Sequence, residues 1–268
     1  LLGPNETMIE STRPVISICA VRTGCGKSQT TRAVSKALQE MGLKVAAIRH
    51  PMPYGDLVAQ KVQRYGSLED LKKHKCTIEE MEEYEPHIVS GTIIYAGVDY
   101  EAIIRQAEQE ADVILWDGGN NDFPFYRSDL EIVVVDPFRP GHELNYYPGE
   151  VNFRRADVIV INKMDTANLE NILKIRHNIR AVNPDAVVVD GASPVTVDKP
   201  ELIRGKRVLV VEDGPTLTHG GMQVGAGVMA AFKFGACELV NPRACARGEL
   251  IETYKTYPQI GDMILPAM

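Results

Sequence analysis

The sequence predicts an α/β fold, an open and mainly parallel sheet with helices on both faces, followed by a smaller C-terminal α/β unit. Short apolar runs rich in β-branched residues recur at 15–20, 45–48, 113–116, 132–135, 158–161, 187–189 and 208–211, and they are continuous rather than alternating. Continuous apolar strands are those buried on both faces, as a parallel sheet covered by helices requires. Helical patterns lie between several of the runs.

The first run leads through "AVRTGCGKS" into a helix whose Ala33, Val34, Ala37, Leu38 and Met41 share one face, with Gly42 placed to end it. After the second run, Ser67 with Asp70 and Thr77 with Glu80 match the capping-box pattern, which predicts short helices over 67–73 and 77–84 in an insertion at about 55–90. Leu169, Ile172, Leu173 and Ile179 predict a later helix. The stretch "GASPVTVDKPELIRGKR" reads as a linker, giving a domain over 1–195 and the start of a second α/β unit over 196–268. The ending "GDMILPAM" carries neither a helix cap nor a polar tail, so that second unit reads as truncated.

Ligands of such a sheet sit beyond the carboxyl ends of its strands. The turn after the first strand has the makings of a phosphate cradle, because glycines let backbone N–H groups point inward at an anion while a helix N-terminus adds partial positive charge. Gly24 and Gly26 supply the permissive positions, flanked by Thr23, Cys25 and Gln29; Lys27 is expected on the β and γ phosphates and Ser28 on Mg²⁺. The first glycine of the GxxxxGK[ST] pattern is Val21 here. Loops reading KGGxGK[ST] place a second cation five residues before the lysine, and Arg22 holds that position. The domain over 1–195 is therefore expected to be a P-loop NTPase.

"VILWDGGNND" ends an apolar strand in Asp117, the placement by which P-loop proteins hold the magnesium shell. Lys27, Arg22 and Asp117 are the expected catalytic set, with Ser28 and Asp117 as metal ligands. "NKMD" follows another strand and matches the NKxD signature of guanine-binding P-loop proteins, so Asn162, Lys163 and Asp165, with Ser193 from "DGASP", are expected around the base. Further loops carry Arg49, His50, Arg127, Arg139, His142, Arg154 and Arg155, a basic concentration suited to a polyphosphorylated small molecule. "VLVVEDGPTLTHGGMQVGAG" reads as a second anion-binding turn without a lysine, placing Thr218, His219, Gly220 and Gly221 on the same substrate.

A formal charge of −7 and the lack of a basic tail argue against nucleic-acid binding. The five cysteines form no CxxC pair, and no run of about 18 apolar residues is present, so a cytoplasmic protein without a membrane partner is expected; a homodimer stays open.

Taken together, "AVRTGCGKSQTTR", "RHPMPYGDL", "EEYEPHI", "YAGVDYE", "VILWDGGNND", "DPFRPGHE", "PGEVNFRRADVIVINKMD" and "VVEDGPTLTHGGM" resemble the cyclic 2,3-diphosphoglycerate synthetases. The resemblance runs from about residue 14 to 268 and implies the central part of a longer chain. It further implies ATP-driven closure of a phosphoanhydride in 2,3-bisphosphoglycerate, giving ADP and phosphate, with Mg²⁺ and ATP as cofactors and GTP open on account of NKMD. A second class shares the loop and NKMD: GTP-hydrolysing switches and metal-insertion chaperones, which usually add a Cys/His cluster, whereas Cys76 has no CxxC partner.

Overall fold

The computed structural model describes residues 7–50, 52, 55–118, 122–212, 214–218 and 222–265. The chain divides into two compact units, Leu1–Ala192 and Ser193–Met268.

In the first unit an eight-stranded sheet has the order β3-β4-β2-β5-β1-β6-β7-β8. Its strands are β1 (Val15–Ala20), β2 (Val45–Ile48), β3 (Gln63–Tyr65), β4 (Ile93–Ala96), β5 (Val113–Trp116), β6 (Leu130–Val135), β7 (Val158–Ile161) and β8 (Val187–Asp190). All neighbours pair in parallel except β3, which runs antiparallel to β4 at the edge. The helices are α1 (Lys27–Glu40), α2 (Leu68–Lys73), α3 (Ile78–Val89), α4 (Tyr100–Glu110), α5 (Gly149–Arg155) and α6 (Leu169–Val182).

Side chains alternate across a strand, and β5 shows why its run has no polar member. Val113 and Leu115 join one apolar cluster with Ile18, Val134 and Phe153, whereas Ile114 and Trp116 join a second with Ile48, Ile103 and Ile104. Each face of the sheet is thus a core surface, and an open parallel sheet is the arrangement that buries both.

The insertion contains the two expected helices. At α3, Thr77 Oγ1 accepts from Glu80 N at 3.2 Å, and the Glu80 carboxylate accepts from Thr77 N at 2.8 Å. At α2, Asp70 accepts from Ser67 N at 2.9 Å. Several elements go beyond the sequence reading. Strand β3 has buried Gln63 and Tyr65 around an outward Arg64, a pattern too short and polar to signal a strand; Arg64 forks onto Glu110 at 2.7 Å from both nitrogens. Strand β4 and helix α4 fill the space between the insertion and β5.

The second unit has a two-stranded parallel sheet, β9 (Arg207–Val208) with β10 (Glu238–Leu239), and helices α7 (Gly214–Thr218), α8 (Ala226–Lys233) and α9 (Glu249–Thr256). Its own core gathers Val210, Leu217, Val228, Tyr254, Met263 and Leu265. The strand expected over 208–211 stops at Val208, because Leu209 and Val211 face solvent and only a single bridge links Val211 to Ile264.

Thr77→Ala removes the side-chain acceptor at the start of α3, and is expected to lower unfolding free energy by about 1 kcal/mol in denaturant titrations.

Candidate active site

Parallel register brings the carboxyl ends of β1, β2, β5, β6 and β7 to one edge of the sheet, where three groups of side chains meet. The first is the turn between β1 and α1. Gly24 and Gly26 adopt φ of +79° and +103°, the left-handed region that glycine enters without steric cost. Gly26 is constrained twice, since a Cβ there would lie 2.1 Å from Asn162 Nδ2. Val21 is buried, and its N–H bonds Val134 O at 3.1 Å. Against it packs Gly149, where a Cβ would lie 2.6 Å from Val21 O. The Arg22 guanidinium lies 3.8 Å over the Tyr146 ring, whose other neighbour is His142 at 4.7 Å between centroids. Burial, then the charges of Arg22 and Arg139, hold His142 below the ordinary histidine pKa. Burial pushes the Cys25 thiol up to about 11, so it remains a thiol within the loop. Thr23 and Ser28 are half-buried and Gln29 is exposed.

The second group surrounds Asp117, fully buried one residue past β5. Its Oδ1 receives Lys27 Nζ at 2.5 Å and the Thr31 hydroxyl at 3.0 Å. Its Oδ2 lies 2.5 Å from Arg49 Nη1 and 3.3 Å from His87 Nε2. Arg49 also pairs with Glu83 on α3. Burial alone would raise the Asp117 pKa, but Arg49 and Lys27, then His87, hold its carboxyl well below the usual carboxylate range. Burial lowers the Lys27 pKa, against the pull of Asp117.

The third group surrounds Asp136, one residue past β6. Its Oδ2 receives Arg139 Nη2 at 2.9 Å and Lys163 Nζ at 2.8 Å. Lys163 Nζ reaches on to Gly24 O at 2.7 Å, and Asn162 Nδ2 bonds Cys25 O at 2.8 Å. The NKMD loop is therefore fastened directly to the phosphate turn. Gly191, from "DGASP", accepts from Met164 N at 3.0 Å and donates to Ile161 O at 2.8 Å, closing the same loop from behind.

In the first unit, other expected residues lie apart from these groups. Arg127 precedes β6 and pairs with Glu10 at 3.1 Å; Arg155 pairs with Glu131 near the start of β6. Both lie toward the opposite, amino edge of the sheet. Arg154 pairs with Glu150 one turn earlier in α5. His50 follows Arg49 and is exposed, as is Asp165. Ser193 opens the second unit, and Thr218 ends α7 with its hydroxyl on Gly214 O at 3.0 Å. His219, Gly220 and Gly221 lie outside the described residues. At the start of α8 the N–H groups are taken by the chain itself: the Glu212 carboxylate accepts from those of Gly225, Gly227 and Val228 at 3.2, 3.1 and 2.7 Å.

The sequence reading missed Asp136 and His87. Asp136 carried the same signal as Asp117, an acid closing an apolar strand. His87 carried none, since only the packing of α3 brings it to Asp117.

These features can be set beside known proteins. LpxK from Aquifex aeolicus, solved in complex with ATP, superposes with a TM-score of 0.50 at 14% identity, covering 87% of this chain and 72% of that one. The fold is that of a P-loop NTPase. The family described as cyclic 2,3-diphosphoglycerate synthetase, P-loop domain, matches residues 88–192. The P-loop lysine and turn lie before the matched stretch. Arginine synthetase ArcE from Thermococcus kodakarensis is 68% identical over all 268 residues, and this chain spans 60% of its length. A cyclic 2,3-diphosphoglycerate synthetase from Thermococcus sibiricus is 32% identical over 116 residues, 42% of this chain and 26% of that one. The resemblance thus holds for the P-loop domain, but the reaction inferred from it does not. Similarity over all 268 residues of this chain to an arginine synthetase overturns closure of a phosphoanhydride in 2,3-bisphosphoglycerate, and the switch or chaperone alternative with it. Among the described residues no helix is long and apolar enough to cross a membrane.

A carboxylate held below its unfolded pKa stabilises the fold above that unfolded value and loses its contribution as pH falls through the folded one. Asp117→Asn is therefore expected to flatten the pH dependence of stability below about pH 4, as read by denaturant unfolding at successive pH values.

Proposed function

We propose that this chain carries the nucleotide-binding part of an ATP-dependent ligase whose product is arginine. The observation that supports it is 68% identity over every residue to a protein named arginine synthetase. The site chemistry agrees. Making a guanidinium carbon–nitrogen bond from a ureido group means replacing an oxygen that leaves poorly. Transfer of a phosphoryl group to that oxygen converts it into a phosphate that a nitrogen nucleophile can displace. The protein's task is then positioning and charge neutralisation rather than covalent chemistry.

Lys27, at the first turn of α1, is the cation placed to meet the β and γ phosphates. In the structure it rests on Asp117, so nucleotide binding exchanges one anionic partner for another. Arg49 stays beside Asp117 and keeps its charge compensated when Lys27 turns away. Ser28 and Asp117 offer hard oxygen donors, and among the described residues no group of three acidic, His or Cys side chains could hold a metal by itself. That fits Mg²⁺, which takes one or two protein oxygens beside substrate phosphates; when bound it would neutralise phosphate charge, with Ser28 and Asp117 holding it. ATP is the proposed nucleotide, in keeping with the ligase class. NKMD does not oppose this, because its Asn and Lys are engaged with the phosphate turn itself.

Incubation with Mg·ATP, ammonium and the ureido amino acid that differs from arginine by one oxygen is expected to give arginine and phosphate in equal amounts by mass spectrometry. Lys27→Ala should abolish both, and calorimetry should show tighter binding of ATP than of GTP. Phosphate release indifferent to the amino acid, without arginine, would count against the proposal.

A further inference from the structure

Asp136 is 2% exposed, and the two cations on its carboxylate both reach the phosphate turn. Its Oδ1 accepts from Phe138 N at 3.0 Å, which fixes the carboxylate plane. Its Oδ2 accepts from Arg139 Nε at 3.2 Å, Arg139 Nη2 at 2.9 Å and Lys163 Nζ at 2.8 Å. Both cations then continue into the turn. Lys163 Nζ bonds the Gly24 carbonyl at 2.7 Å, and Arg139 Nη2 lies 3.4 Å from Cys25 Sγ. Asn162, adjacent to Lys163, draws the Cys25 carbonyl at 2.8 Å.

An anion cradle needs its N–H groups facing inward, and each peptide that presents its N–H to the ligand must turn its carbonyl elsewhere. Donors stationed behind the turn at Gly24 O and Cys25 O impose that orientation. Lys163 itself has φ +57°, a conformation uncommon outside glycine, so the place of its ammonium group is imposed by contacts rather than by local backbone preference. Without the carboxylate, two cations would stand together in a buried space with their shared counter-charge removed.

We propose that Asp136 is a positioning residue that pre-forms the phosphate turn through Lys163 and Arg139, and so sets affinity for the triphosphate chain irrespective of the base attached to it. This rests on the reading of residues 21–28 as a nucleotide phosphate loop.

The test is calorimetric titration of ATP, GTP and inorganic tripolyphosphate into the wild-type chain, Asp136→Asn, Lys163→Gln and the double variant. Asp136→Asn is expected to weaken all three ligands by a common factor of about ten to a hundred, the range for losing a charged hydrogen bond. Because part of the effect of Asp136 runs through Lys163, the double variant should lose less affinity than the two single losses combined. Unchanged affinities in Asp136→Asn, measured well below its melting temperature, would show a merely structural role and overturn the proposal. So would a loss confined to the nucleotides with tripolyphosphate unaffected, which indicates a base contact. Should Asp136→Asn fail to fold, Lys163→Gln alone reads the same three affinities. A wild-type chain that binds none of the three ligands would instead remove the phosphate-loop reading on which the proposal stands.

Discussion

The carboxylate of Asp117 is the constraint on which the site depends. It is fully buried one residue past β5, where Lys27 and Thr31 of α1 and Arg49 just after β2 donate to it and His87 of α3 lies 3.3 Å away. An unpaired charge in such a place is prohibitively costly, and removing one partner of a buried pair typically costs about 3–5 kcal/mol. Lys27, Thr31, Arg49 and His87 are therefore a single electrostatic unit. The helical insertion belongs to that unit, because α3 supplies both His87 and, through Glu83, the second partner of Arg49.

A second carboxylate repeats the device on the other side of the phosphate turn. Strands β5 and β6 both pair with β1, so Asp117 and Asp136 flank the strand that feeds the turn. Each collects two cations, one of them a lysine in contact with the turn or at its end. This changes the meaning of the arginines that looked, in sequence, like receptors for a polyphosphorylated substrate. Arg49, Arg127, Arg139, Arg154 and Arg155 all pair with acids of this chain. In a protein with 36 acidic residues against 29 basic ones, an arginine is as readily the partner of a neighbouring carboxylate as of a ligand.

The central strands, the phosphate turn and the capped helices were legible because each is written in a few adjacent residues. β1, β2, β5 and β7 appear with the bounds that their apolar runs indicate. Edge strand β3 was not legible, since its partner is supplied by β4 and not by its own three residues. In the site, Lys27 and Asp117 could be read from strand-end position, yet nothing local indicated that they face each other across 2.5 Å. The substrate was misread for a related reason. Nucleotide motifs report on the shared part of a reaction, and the group that receives the phosphoryl is chosen by loops whose side chains follow no common pattern.

The valine at the head of the phosphate turn has a counterpart far along the chain. Glycine is usual at that position, and here the close approach is made by Gly149 at the start of α5. The contact is with the backbone of Val21, whose O, Cα and C would lie 2.6, 2.9 and 3.1 Å from a Cβ on residue 149. The loop is consequently backed from outside its own segment: its backbone lies against a helix start that only glycine can occupy. Enlarging residue 149 would strain the turn as surely as altering the turn itself. A search confined to consecutive residues will undervalue such loops whenever the small partner lies on another helix.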